Sequence, residues 1–230
     1  RRKSQSRPMF APLVIFGLAL SALAALLRRA FRRLPARAVI VSPAKSTVIA
    51  RDGAVRSVQS AHLTMAPADL ERIWSDAQLE NLARTYWRFL SRVTLGLIRI
   101  AYSADSRSVV LLAKPFTLLR FEKPQYTIEE GHRAVKWRIR DGLLVTRSGR
   151  SCGFLALDVR RQPNDPDGRA KLLIEVEVAN FYPSIAARLS TPVYEMTQSV
   201  VHVLVTHAFL RSLAKLDLAK SKVGALQHGP

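Results

Sequence analysis

Five histidines, one cysteine and seventeen carboxylates carry most of the chemistry this chain could perform, and their spacing assembles little. His202 and His207 are five residues apart. On a helix they do not share a face as i, i+4 metal ligands would. They read as two ordinary helix histidines, and no metal-ligand cluster stands out. Cys152 is the sole cysteine, so an intramolecular disulfide and a thiol-rich metal site are both excluded. It is expected as a small, partly buried side chain in a strand. Glu175 and Glu177 would share one strand face with Leu173, opposite Leu172, Ile174, Val176 and Val178. A paired acid/base is one reading, and a solvated strand face is the better one. No Gly-x-Ser-x-Gly elbow, phosphate-binding P-loop or dinucleotide fingerprint occurs. No catalytic set is defined, and no cofactor is implied.

Basic residues are more telling. The net charge is +19, and +10 of it falls in the first fifty residues, which contain no Asp or Glu. Such an imbalance suits an anionic surface, either lipid headgroups or nucleic acid. Tyr86, Trp87 and Arg88 have the aromatic–basic interleaving of a single-strand binder. Tyr86 falls on an apolar helical stripe, however, so core packing is the better account, and nucleic acid is disfavoured as a partner. Arg138, Arg140 and Arg160 suggest a basic outer face, suited to phosphate headgroups or simply to solubility.

The run Met9 to Leu27 is uncharged and nearly all apolar. At ~1.5 Å per residue it would span about 28 Å as a helix, close to the ~30 Å hydrocarbon core. Apolar faces all round and basic ends argue against a buried core helix. A cleavable signal peptide is the sharper competitor, with Ala22-Leu23-Ala24 as its cleavage-like site. Arg28, Arg29, Arg32, Arg33 and Arg37 follow the run directly. They favour a retained single-pass anchor, anionic headgroups near Arg28, Arg29, Arg32 and Arg33, and a cytoplasmic domain. Arg1, Arg2, Lys3 and Arg7 pull the orientation the other way.

The expected organisation is an anchor over 1–34, a linker over 35–54, a folded domain over 55–220 and a flexible tail over 221–230. Val55 to Met65 has strand content. Pro67, Asp69 and Glu71 suit a helix start, and a second helix is expected from Ala77 to about Val93. From Leu97 the period becomes two. Val135, Trp137 and Ile139 alternate with Lys136, Arg138 and Arg140 as the cleanest half-buried strand. Asp141-Gly142 is a hairpin signal leading into a strand over Leu143 to Thr146. Further strands are expected over Phe154 to Arg160 and Leu172 to Ala179. Tyr194 to about Leu218 reads as a long amphipathic helix.

The stretch His62-Leu63-Thr64-Met65-Ala66-Pro67-Ala68-Asp69-Leu70-Glu71-Arg72-Ile73-Trp74 resembles the first strand, Ala-Pro step and Trp-bearing helix of the START-like (polyketide cyclase-like, helix-grip) superfamily. The order of elements over Val55 to Leu218 is similar to that family's as well. The resemblance implies an α+β helix-grip fold: a strand, two helices, a curved antiparallel sheet and a long C-terminal helix, here preceded by the transmembrane helix. It also implies a cavity between sheet and helix for an apolar or lipid-like small molecule. By fold position, Tyr126 and Trp137 would line that cavity, and His202 or His207 would meet the ligand. The leading reading is a membrane-anchored binding module. A cyclase- or hydratase-type enzyme using the same cavity is the alternative, as is a non-catalytic interaction domain with a basic face.

Overall fold

The computed structural model describes residues 34–42, 46–103, 106–112, 116–184 and 200–219. The anchor run, Tyr194 to Ser199 and the tail over 221–230 lie outside those residues. Among the described residues, no helix is long and apolar enough to cross a membrane.

The folded unit begins at Pro35. Strands β1 (Ala36–Ile40), β2 (Thr47–Ile49) and β3 (Val55–Met65) lead into two helices, α1 (Pro67–Ile73) and α2 (Asp76–Val93). A meander follows: β4 (Ile98–Tyr102), β5 (Arg107–Leu111), β6 (Thr117–Phe121), β7 (Gln125–Glu129), β8 (His132–Asp141), β9 (Phe154–Gln162) and β10 (Ala170–Phe181). Helix α3 (Val200–Ser212) and a 3-10 turn (Leu213–Lys215) close the described chain. All pairings are antiparallel, in the order β1-β3-β10-β9-β8-β6-β5-β4, with β2 also on β3 and β7 also on β8. Register shifts at Val109/Val110, Arg120/Phe121 and Val178/Phe181 bend the strands.

Period-two alternation explains which face is covered. Leu172, Ile174 and Val176 of β10, Leu155, Leu157 and Val159 of β9, and Val135, Trp137 and Ile139 of β8 are all buried. Helix α1 starts at Pro67, where a missing N–H costs nothing, and stops at Trp74 (φ −92°, ψ 75°). Helix α2 carries Asp76 in its first turn and Arg92 in its last, both favourable to its dipole. Its buried stripe is Leu79, Leu82, Ala83, Tyr86 and Trp87. Helix α3 packs on β1, β3 and α2, and buries Phe209 and Leu210.

Several expectations change. The segment 35–54 is not only a linker: β1 pairs with Ala61 to Met65 and β2 with Val55 to Ser57, filling the open edge of β3. An uncovered edge would leave backbone donors and acceptors unpaired. Asp141-Gly142 does not make a two-residue hairpin. Gly142 (φ +145°) is needed for close approach, since a Cβ there would collide with the Leu118 carbonyl. Leu143 and Leu144 then donate their N–H groups to the Thr117 and Leu118 carbonyls, at 3.0 and 3.1 Å. Leu143 to Thr146 forms no strand, only a bridge from Val145 to Pro183. Cys152 is exposed in the turns that follow. The last helix ends at Ser212, six residues short of Leu218, and Leu216 takes a left-handed φ of +50°.

Phe209 is fully buried, with Tyr86 at 5.1 Å and Phe89 at 5.9 Å between ring centroids. Phe209→Ala should therefore lower unfolding free energy by about 3–5 kcal/mol in urea denaturation. A loss below about 1 kcal/mol would show that α3 does not grip the sheet.

Candidate ligand site

Two places on the helix-covered face combine shape with polar groups. The first is an apolar cavity of about 50 Å³. Leu63 of β3 and Leu172 and Ile174 of β10 line it from the sheet. Leu79 and Leu82 of α2 and Leu213 after α3 contribute from the helical side. Its polar lining is Ser75, Gln78 and Arg133. The size corresponds to a few heavy atoms at most. Trp74 also lines it, and Trp74 and Arg133 are shared with a shallow open groove bounded by Ile128, Glu129, Glu130, Gly131 and Arg161. Trp74 thus stands between a small apolar chamber and solvent.

The ring of Trp74 is held by cations. The guanidinium of Arg161 lies 4.5 Å and that of Arg133 5.0 Å from its centroid. Arg161 pairs with Glu71 at 3.1 Å, and Arg133 pairs with Asp76. The Nε atoms of both arginines are buried without a partner. The connector between α1 and α2 therefore owes its position to side chains of β8 and β9.

The second place is a polar network where α3 meets β3. Ser57 and Gln59 are buried on the face that otherwise carries Ala61, Leu63 and Met65. Gln59 Nε2 donates to Ser46 Oγ at 2.7 Å and Ser57 Oγ at 3.2 Å. Its Oε1 is therefore the acceptor for His207 Nε2–H at 2.8 Å. Ser42 Oγ lies 3.5 Å from the same nitrogen. Burial, with a smaller push from Arg211, holds the His207 imidazole below its ordinary value, so it is neutral and a donor at Nε2. Beside it on α3, Thr206 is fully buried and its Oγ1 has no partner.

Of the residues predicted from fold position, Trp137, Tyr126 and His207 do not converge. Trp137 and Tyr126 lie on neighbouring strands of one face, since Tyr126 opposes Val135. Trp137 is buried against Trp87, 5.3 Å between centroids, and fills space there. Tyr126 donates its hydroxyl to the buried Glu80 carboxylate. Burial, then that bond, raises its ionisation well above normal. His207 lies elsewhere, on α3, where it bonds Gln59 of β3. The His202 side chain lies outside the described residues. Trp137, Tyr126 and His207 do not line the apolar cavity.

Sequence reasoning missed Trp74 as a boundary, Gln59 as a buried amide and Glu80 as a buried carboxylate. The first two had a faint signal. Gln59 breaks an apolar period-two face, and Trp74 stands at the end of the Trp-bearing helix. Among the described residues, no group of three His, Cys, Asp or Glu is placed to hold a metal ion.

The antiparallel sheet with its C-terminal helix fits the α+β helix-grip fold, with β1 and β2 added along β3. No protein-family profile and no curated protein matches the chain. Similar solved structures include an uncharacterised protein from Rhizobium leguminosarum, at 13% identity over 70% of this chain and 99% of that one, TM-score 0.33. Human STARD10 is 8% identical over 85% and 79%, TM-score 0.30. A Thalictrum norcoclaurine synthase is 13% identical over 74% and 96%, TM-score 0.32. Likeness at this level is weak, and the fold assignment rests on the topology itself.

The pH behaviour of the α3 clasp follows from His207. Its folded-state proton affinity is lowered, so the unfolded chain takes the proton first. The stability it contributes is complete above the unfolded value of about 6.5 and is lost as pH falls from there through the lower folded-state value. Denaturation midpoints should fall on acidification, and His207→Gln should flatten that fall. An unchanged slope in the variant would remove His207 from the clasp.

Proposed function

We propose that this is a binding module for an apolar or lipid-like small molecule, held between the sheet and the C-terminal helix. The observation that carries the reading is the apolar chamber behind Trp74, lined by leucines of β3, β10, α2 and the chain after α3. A concave, mostly apolar site with a few polar groups at its rim is the usual form of a small-molecule site. At about 50 Å³ the chamber admits only one end of a ligand unless its roof moves. The roof consists of the parts least tied by regular structure. Trp74 and Ser75 join two helices, and Leu216 to Leu218 follow the last helical turn outside any helix. No carboxylate or imidazole lines the chamber among the described residues, which favours binding over the cyclase or hydratase reading. The aromatic filling around Trp87 and Trp137 supports a second reading, an interaction domain with a basic face.

We also propose that the run Met9 to Leu27 anchors the module in a membrane as a single span, with the domain on the cytoplasmic side. This rests on the uncharged length of the run and the arginines after it.

The fluorescent naphthalene probe 1-anilinonaphthalene-8-sulfonate tests the first reading. Native chain should enhance its emission, and Leu172→Phe, which fills the chamber, should abolish the enhancement with the circular dichroism spectrum retained. Equal enhancement by both proteins would sink the proposal. The anchor is tested by fractionation. Full-length chain should stay with membranes through alkaline carbonate washing, and release by carbonate would overturn the integral span.

A further inference from the structure

One end of the sheet carries large apolar side chains that folding does not explain. Helix α2 finishes in a C-terminal capping motif. The N–H of Leu95 bonds to the Arg92 carbonyl at 3.0 Å, and the N–H of Gly96 to the Ser91 carbonyl at 2.8 Å. The residue after the cap in such a motif is left-handed and is most often glycine. Here it is Leu95, at φ +52° and 92% exposed. Its side chain carries the steric cost of that conformation and gains almost no burial in return. The β5–β6 connection repeats the choice. Leu112 is left-handed at φ +60° and 54% exposed.

These two loops form one surface. The N–H of Leu112 bonds to the Leu97 carbonyl at 2.7 Å, and the N–H of Leu111 to the Phe116 carbonyl at 2.9 Å. Leu143, whose N–H bonds to Thr117, brings the β8–β9 connection to the same end. Leu97, Phe116 and Leu143 are each more than half exposed. Leucines held out from adjacent loops, two of them in a backbone conformation that disfavours them, mark an interaction surface.

Charge selects the partner. Between Glu80 and Glu122 the chain has seven basic residues and one acid, Asp105, which lies outside the described residues. Arg88, Arg92 and Arg99 are exposed and make no ion pair among the described residues. Asp141, at the end of β8, is taken by Arg120 at 3.3 Å and Arg140 at 3.2 Å. Protruding apolar tips with a cationic rim match an anionic bilayer, which accepts side chains from several loops without a complementary groove. A protein partner would need such a groove.

We infer that the α2–β4, β5–β6 and β8–β9 loops form a membrane-docking tip, with Leu95, Leu112, Phe116 and Leu143 entering the acyl boundary of an anionic leaflet and Arg88, Arg92 and Arg99 meeting its headgroups. The surface is separate from the chamber behind Trp74 and does not depend on the ligand reading.

The test uses the full chain with Cys152→Ser, reconstituted into vesicles and labelled with an environment-sensitive nitrobenzoxadiazole at Leu95→Cys, Leu112→Cys or, as control, Asn164→Cys in the β9–β10 loop at the opposite end. Because the readout is local, it distinguishes the tip from any anchoring by the N-terminal run. In vesicles containing phosphatidylglycerol, labels at 95 and 112 should be blue-shifted and quenched by acyl-chain nitroxide lipids, and the label at 164 should not. Quenching at 95 and 112 should fall severalfold in pure phosphatidylcholine. Leu95→Gly in the 112-labelled chain should weaken quenching while melting no lower than the leucine form, since glycine suits the capping position. The inference is overturned by absence of quenching at 95 and 112, by equal quenching at 164 or by equal quenching in both lipids. A blue shift without lipid quenching, the signature of a second copy or another protein on the tip, would also overturn it.

Discussion

Trp87 is where the helices and the sheet are joined. Its ring meets Trp137 of β8 at 5.3 Å and Phe121 of β6 at 5.5 Å, and its helical neighbour Tyr86 reaches Phe209 of α3 at 5.1 Å. One pair of adjacent residues on α2 thus ties the sheet, the second helix and the C-terminal helix into a single ring cluster. Aromatic pairs of this geometry add about 0.5–1.5 kcal/mol each beyond their buried area. The same cluster decides where space is left. The rings occupy the β6 and β8 side of the concave face, so the remaining chamber sits toward β3 and β10, under Trp74.

The opposite face of the sheet is arranged by charge. Arg56 bonds Glu177 at 2.8 Å, Ser60 donates to Glu175 at 2.8 Å, and Asp158 takes both Arg160 at 2.9 Å and His132 at 2.7 Å. The bond to Asp158 raises the proton affinity of His132, opposite in sign to the effect on His207. Exposed pairs such as these stabilise little individually. Their effect is to occupy most of the carboxylates of that face, so Glu175 and Glu177 serve as partners of Ser60, Arg160 and Arg56 rather than as a catalytic pair.

What the sequence disclosed and what it hid divide along physical lines. Long periodic elements were legible because burial imposes their period. The Val135–Trp137–Ile139 alternation and the helical stripe through Tyr86 reappear as buried faces. Trp87 was not assigned to that stripe, because a helix pressed between a sheet and another helix buries a wider arc than a surface helix does. Strands β1 and β2 were hidden by Pro43 and the Asp52-Gly53 turn, and their pairing depends on the free edge of β3, which no local signal encodes. Asp141-Gly142 misled because its glycine answers a tertiary contact with Leu118 and not a turn type. The polar clasp of Gln59 and His207 joins residues 148 positions apart, beyond the reach of any spacing argument.

The placement of β3 has a consequence for how the chain acquires its structure. On one side β3 is paired with β1 and β2, which precede it closely, and on the other with β10, which begins more than a hundred residues later. A chain emerging from the ribosome can zip the first seam at once, because those loops are short. The second seam must wait until the whole meander has been synthesised, and β3 meanwhile offers an unsatisfied edge with Leu63 and Met65 on one face. Pairing between segments so distant in sequence is slow. The early β1–β2–β3 unit therefore carries an edge that stays open until β10 is available to close it.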